Sequence, residues 1–449
     1  MRFIYKSKTE RRTHMKKFLS LLLSILMILS LVPTAFAEGP VEITFWHSWG
    51  SGTNAEAIEK LVTDFNTAYE GKIHVTAQYI GGYSDVLSKV MVGYNGGENP
   101  TVSVVDSCMA LNAAQYGFMT NLTEYTAEND PEYDWEQFFP GLLTYSKDVD
   151  GNNWAVPFAR STQVMYVNMD LVRQCLGEDA DVVDTWDDVW EVCEAWTAQT
   201  GTPAYSHAAH SGWYAFYILS LYEGEFYNKA GTGACMYIND AWRKALNTWK
   251  DAIDKGWYAV PSLSTAGFYE DFMSGKLPIM FNSTGSVTDV LADSEGVFDV
   301  EVCYLPGSVK EDGTVHRAVQ TGGANLLLCN NKSAEETAAG WEFIKFMTSM
   351  ESNIYYGLKT GYLIGHVGAD ANEEVIKAWE EEPALRVSYD QLEYVHEAYV
   401  SIYCSELDLE ETVIMNSFVM DGVSVEDTLK DFETMYTAIM PEGVVDTFE

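Results

Sequence analysis

Apolar and polar positions lay the chain out as alternating strands and helices. Val41–Phe45 switches between the two kinds of residue with a period of two, as a half-buried strand does. Beyond the loop Trp46–Thr53, residues Ile58, Leu61, Val62 and Phe65 fall on one face of a helix that stops at Gly71. Ile73–Tyr79 reads as a second strand. Ser84–Tyr94 reads as a helix with Val86, Leu87, Val90 and Met91 inward, ended by Gly96, Gly97 and Pro100. Thr101–Val105 makes a third strand, with Asp106 at its exit. This strand–helix order predicts an α/β fold with a parallel sheet and ligand groups just past the strand ends.

The pattern then changes character at Trp154–Asp170, reading WAVPFARSTQVMYVNMD. Apolar Trp154, Val156 and Phe158 lead into polar Arg160, Ser161 and Thr162, and the strand-like Val164–Val167 follows. An extended segment with a polar knot at its centre suits a strand that leaves one lobe, crosses a cleft and enters another. The preceding Asp148–Asn153 (DVDGNN) resembles a calcium loop but lacks the Gly and Glu that an EF-hand places at 153 and 159; a hairpin turn is expected instead. Thr185 and Asp188 form a capping-box variant for a helix with Trp186, Val189, Trp190, Cys193 and Trp196 on its core side. At Ser211–Tyr214 a loop opens into a helix, where Trp213 can either offer a flat face to a ligand or simply pack.

Gly275–Phe281 reads as a short strand that runs into Asn282–Ser286, whose small polar residues at a helix start expose backbone N–H groups. Gly322 and Gly323 precede the apolar strand Ala324–Cys329. Ser333 and Glu336 cap a helix carrying Trp341, Phe343, Ile344 and Phe346, and Ser424–Met440 reads as a late helix. No internal repeat or low-complexity segment interrupts the 449 residues, a length that accommodates two sizeable cores.

Charge and targeting signals narrow the function classes. A net charge of −39 repels nucleic acid and anionic membranes, so neither is an expected partner. Lys16 and Lys17 precede the apolar run Phe18–Val32, and Pro33–Ala37 supplies a small-residue cleavage site before Glu38. Residues 1–37 are therefore expected to be a signal peptide, with an apolar core too short to span a bilayer comfortably. The seven cysteines are odd in number, widely spaced and without C-x-x-C, which argues against a zinc site or a disulfide scaffold. No metal or cofactor is expected.

Taken in order, F-W-H-S at Phe45–Ser48, P-F-x-x-S-T-x-x-x-Y-x-N-x-D at Pro157–Asp170, S-G-W at Ser211–Trp213, N-S-T-G-S at Asn282–Ser286, Gly322-Gly323 and K-T-G-Y-L at Lys359–Leu363 resemble the extracellular solute-binding proteins of bacterial sugar and glycerol-phosphate importers. The resemblance covers about residues 41–365. It implies a periplasmic-binding-protein type II fold: two discontinuous α/β lobes, joined by a hinge, that close on a ligand between them. The lobes implied are 38–158 with 324–363, and 159–323 with 364–449. The implied protein is an exported monomer, not an enzyme, that works at the cell envelope with the permease subunits of an ABC importer. The ligand-binding residues it implies are Trp46, His47, Ser48, Tyr79, Tyr83, Asp106, Arg160, Ser161, Thr162, Trp213, Tyr214, Ser283, Gly285, Ser286, Gly322, Gly323 and Tyr362.

Three departures bear on that picture. Lipoprotein members carry a Cys after the cleavage point, and this chain has Glu38. Glycerol-phosphate binders are expected to clamp phosphate with a C-terminal Arg, yet Ala398–Tyr403 contains none. Conversely, Arg160 stands in the crossing where those relatives carry a small polar residue, so an anion clamp could have moved there. Trp46, Trp49, Tyr79, Tyr83, Trp213, Tyr214 and Tyr362 favour a sugar or oligosaccharide, whose C–H faces lie on rings while its hydroxyls meet Asp, Asn and Ser. Glycerol 3-phosphate or a glycerophosphodiester is the alternative ligand. A secreted carbohydrate-active enzyme is the alternative class, although neither G-x-S-x-G nor H-E-x-x-H occurs.

Overall fold

A computed structural model describes residues 39–148, 150–207, 240–260, 265–395 and 403–440. The first strand, β1 (Val41–His47), runs on past the expected Phe45. It is followed by helix α1 (Gly52–Ala68), strand β2 (Ile73–Tyr79), helix α2 (Tyr83–Gly96) and strand β3 (Val102–Asp106). β1 pairs in parallel with both β2 and β3, so the helices return on the faces of the sheet and the strand exits gather at one edge. The apolar faces foreseen in α1 and α2 are the ones that are buried: Ile58, Leu61, Val62 and Phe65 in α1, and Val86, Leu87 and Val90 in α2.

β4 (Val156–Asn168) is a single strand of 13 residues, every one of them buried. At about 3.3 Å per residue it spans roughly 40 Å, long enough to serve two lobes. Helix α3 (Met169–Leu176) continues from it, capped by the Asn168 side chain, which accepts from Leu171 N–H at 3.1 Å. Helix α4 (Trp186–Thr200) starts at the expected Thr185–Asp188 capping box. The short β5 (Tyr205–Ser206), helix α5 (Asp240–Asp254) and strand β6 (Ile279–Ser283) follow. β6 begins later than Gly275, because that glycine and Ser274 turn the chain out of the preceding helix.

Helix α6 (Val287–Ser294) leads to β7 (Val300–Cys303) and to a small hairpin, β8 (Ser308–Val309) with β9 (Val315–His316). β10 (Thr321–Leu328) contains the two glycines expected to lie ahead of it. Gly323 has φ +87°, and a Cβ there would lie 2.1 Å from the Ala159 carbonyl oxygen, so only glycine lets β10 pass this close to β4 beside the bulge at Ala324/Asn325. Helices α7 (Ala334–Met347), α8 (Met350–Thr360), α9 (Cys404–Asn416) and α10 (Val425–Ile439) complete the elements that matter to the site.

Strand pairing shows how β4 joins the halves. Its residues up to Thr162 pair with β10, which in turn pairs with β3. From Gln163 onward it pairs with β6 and β7. The changeover thus lies at Thr162/Gln163. Two large cores flank it. One holds Phe45, Phe65, Val104, Phe158, Leu326 and Phe343. The other holds Val167, Trp186, Tyr205, Trp249, Phe281 and Phe432.

Candidate ligand cleft

The exits of β1 and β3 carry the chemistry. Just past β1, Trp49 is almost fully buried and sits at the centre of an aromatic wall. Tyr83, Phe158, Tyr356 and Tyr362 all meet it edge-on, with ring centroids 6.3, 5.9, 6.1 and 6.5 Å away. Edge-to-face packing at such distances fixes ring orientation as well as burying area. His47 lies near-parallel to Trp49 at 6.2 Å, and its Nδ1 accepts the Trp49 backbone N–H at 3.4 Å. Burial pushes the His47 imidazole down to about 4, so it is neutral at physiological pH.

Asp106 ends β3 beside this wall. Its carboxylate accepts the Cys108 backbone N–H at 2.8 Å, yet burial pushes it up to about 6, with Asp408 adding repulsion and Arg160 pulling the other way. Asp408 lies in α9, whose Leu407 and Met415 belong to the second core. Burial also raises its carboxyl above the usual range. Close by, Asn112 Nδ2 donates to Glu406 Oε2 at 3.1 Å, so α9 is fastened against the first lobe next to Asp106. Among the described residues, the buried hydroxyls of Ser48 and Ser107, at the same strand exits, have no hydrogen-bond partner.

The second lobe meets the wall through the turn after β6. Tyr362 lies over Gly285, where a Cβ would come within 2.7 Å of its ring, so this close approach requires glycine. Asn54 Nδ2 donates to the Gly285 carbonyl at 3.3 Å, and Thr53 Oγ1 donates to Asp289. Ser283 Oγ accepts the Gly285 N–H at 3.1 Å, and Ser286 immediately precedes α6. The lobes therefore touch directly on this side.

Arg160 is placed differently from the clamp suggested by the sequence. It is fully buried in β4, donating through Nε to Gly322 O (2.8 Å) and through Nη1 to Leu142 O and Asn325 Oδ1 (3.1 and 3.2 Å). Its Nη2 donates to Thr321 Oγ1 at 2.9 Å, and the guanidinium lies 4.6 Å from the Tyr145 ring centroid. A cation so engaged locks β4 to β10 and has little left for a bound anion. Ser161 and Thr162 are likewise buried in the strand, with Thr162 N–H donating to Thr284 Oγ1 and Thr162 Oγ1 accepting from Gln391. Trp46 is buried in β1, under Lys89 Nζ of α2 at 4.5 Å. Tyr79 is more than half exposed and covers Gly50. Trp213 and Tyr214 lie outside the described residues.

The structure thus draws His47, Ser48, Tyr83, Asp106, Ser283, Gly285 and Tyr362 toward one region, and engages Arg160, Gly322 and Gly323 in the pairing of β4 with β10. Sequence reasoning singled out neither Asp408, Asn54 and Tyr356 nor the central position of Trp49. Trp49 had a signal in its place beyond a strand exit; Asp408, in an ordinary acidic helix turn, had none.

Two α/β lobes sharing one strand, with aromatic and carboxylate groups at the strand exits between them, make a periplasmic-binding-protein fold. The family described as bacterial extracellular solute-binding protein matches residues 60–386, and the chain belongs to it. It is accordingly a non-catalytic solute-binding protein of the ABC-transport type. The sn-glycerol-3-phosphate-binding periplasmic protein UgpB of Brucella abortus is 22% identical over 336 residues, 73% of this chain and 75% of that protein. UgpB of Yersinia enterocolitica is 24% identical over 350 residues, 76% and 77% of the two chains. Among solved structures, UgpB of Mycobacterium tuberculosis in complex with glycerophosphocholine is 23% identical, with a TM-score of 0.77 over 90% of this chain and 98% of that one. The cyclic alpha-maltosyl-1,6-maltose binding protein of Arthrobacter globiformis is 21% identical, with a TM-score of 0.72 over 90% and 100%. At these identities the structural likeness shows the fold.

Proposed function

We propose that the chain is exported and captures a saccharide between its two lobes, closing by hinge motion and delivering it as a monomer to the permease of an ABC importer. The observation that carries the reading is the Trp49 wall beside the buried Asp106 carboxylate and the Ser48 and Ser107 hydroxyls, which have no hydrogen-bond partner among the described residues. Rings accept the C–H faces of a sugar, and unpartnered hydroxyls and carboxylates accept its hydroxyl groups. Trp213 and Tyr214 are proposed to supply a further stacking surface from the second lobe, and residues 1–37 to be removed on export.

A glycerol-phosphate ligand is the second reading, favoured by the likeness to the sn-glycerol-3-phosphate-binding UgpB proteins. The engagement of Arg160 within β4 weighs against it. A thermal-shift screen over mono- and oligosaccharides, glycerol 3-phosphate and glycerophosphodiesters separates the readings, because a ligand that binds only the folded state raises the melting temperature. Stabilisation by the phosphate compounds alone would overturn the saccharide reading. Hydrolysis of any stabilising glycan would overturn simple binding.

A further inference from the structure

We propose that Asn54 and Tyr356 are positioning residues for lobe closure. The Tyr356 hydroxyl holds the Asn54 amide so that it grips the Gly285 carbonyl of the opposite lobe, which couples the aromatic wall to the contact between lobes. The role rests on the two lobes moving by hinge, as proposed above.

Asn54 stands in the first turn of α1, whose Ile58, Leu61 and Phe65 belong to the first core. Gly285 follows β6, whose Ile279 and Phe281 belong to the second. The Gly285 carbonyl can only accept, so the amide nitrogen of Asn54 faces it, at 3.3 Å. Asn54 Oδ1 is thereby left toward the Tyr356 hydroxyl, which donates to it at 3.3 Å. One orientation of the amide meets both partners; turned over, it would set oxygen against oxygen at Gly285. Tyr356 is fully buried, with the Trp49 and Tyr362 ring centroids 6.1 and 5.4 Å away, so its hydroxyl holds Asn54 from a fixed position.

A second arm reaches the same residue. Trp49 Nε1 donates to Tyr362 Oη at 3.4 Å, and the Tyr362 ring lies so close to Gly285 that a Cβ would come within 2.7 Å. Trp49 is thus joined to Gly285 through Tyr356 and Asn54 on one side and through Tyr362 on the other. Beside them Thr53 donates to Asp289, which brings a carboxylate to the start of α1; that helix has no acid in its own first turn and no side-chain cap from Ser51. A solute that fixes the Trp49 ring therefore also steadies the groups that hold the opposite lobe.

Hydrogen exchange of the mature chain without added solute tests the coupling, read at amides 284–287 on the far side of the contact. Asn54→Ala is expected to speed exchange there by about two- to tenfold, with β3 and β7 unchanged. Asn54→Asp keeps the shape and the acceptor for Tyr356 but sets a carboxylate against the carbonyl, so it should match or exceed Asn54→Ala. Tyr356→Phe should give a smaller increase, and none when added to Asn54→Ala, because the hydroxyl acts through that amide. Unchanged exchange at 284–287 in Asn54→Ala, parent-like exchange in Asn54→Asp, or additive effects of the two substitutions would overturn the proposal. Equal acceleration in β3 and β7, the mark of general destabilisation, would do the same. Small-angle scattering of Gly285→Leu, whose side chain meets the Tyr362 ring, separates this role from the hinge itself. Expansion of that variant with unchanged exchange in Asn54→Ala keeps the hinge and removes the role of Asn54. A folded Gly285→Leu that does not expand overturns both.

Discussion

Arg160 and Asp106 are both charged, both shielded from water and close enough to influence one another, yet their surroundings treat them in opposite ways. Around Arg160, four protein acceptors and a tyrosine ring take up the guanidinium, and β4 and β10 are fastened together as a result. Around Asp106, backbone N–H groups are the hydrogen-bond donors, a second carboxylate adds repulsion, and the Ser48 and Ser107 hydroxyls lack partners among the described residues. Burial alone does not separate scaffold from site. What separates them is whether the protein itself satisfies the buried group, because an unmet polar group is costly in the free protein and available to a ligand.

That contrast is sharpest if the two charges are removed in turn. Arg160→Ala leaves four buried acceptors unmet and is expected to lower stability by about 3–5 kcal/mol in denaturant titrations. Loss of ligand affinity without loss of stability would instead make Arg160 a binding residue. Asp106→Asn should have the opposite sign, raising stability at pH 8 by on the order of 2 kcal/mol. The group's folded value, about 6, is above its unfolded value of 3.8, so ionisation above pH 6 opposes folding. Its contribution to stability should therefore fall as pH rises from about 4 to about 6, and the variant should lose that slope.

Smaller effects probe the wall and the contact between lobes. Trp49→Phe keeps an aromatic ring but loses area and the indole N–H, which donates to Tyr362 Oη at 3.4 Å. Ligand affinity should drop by about 1–2 kcal/mol in calorimetry, more than the melting temperature alone would suggest. An unchanged affinity would move the site away from this wall. Thr53→Val removes the donor to Asp289 and should weaken lobe closure by roughly 0.5–1.5 kcal/mol. Small-angle scattering at limiting ligand should then show a larger radius of gyration than for the parent protein.

Local patterns were enough to define most elements near the cleft. Period-two alternation gave β1; periodic apolar faces gave α1 and α2. The capping boxes at Thr185/Asp188 and Ser333/Glu336 marked the starts of α4 and α7 correctly. These signals are legible because backbone geometry and burial on one face act over neighbouring residues. The polar knot at Arg160–Thr162 likewise marked the place where β4 changes partners.

The roles of the residues at that knot and around it were decided only by the tertiary fold. Whether Arg160 meets a ligand or a carbonyl depends on β10, 162 positions away at Gly322. Trp49 gains its place by meeting Tyr362, 313 positions on, and Asp106 feels the charge of Asp408 from a distant helix. A sequence specifies which residues carry charge or rings. Which of them remain unsatisfied is fixed by pairings between distant segments, and those leave no periodic trace along the chain.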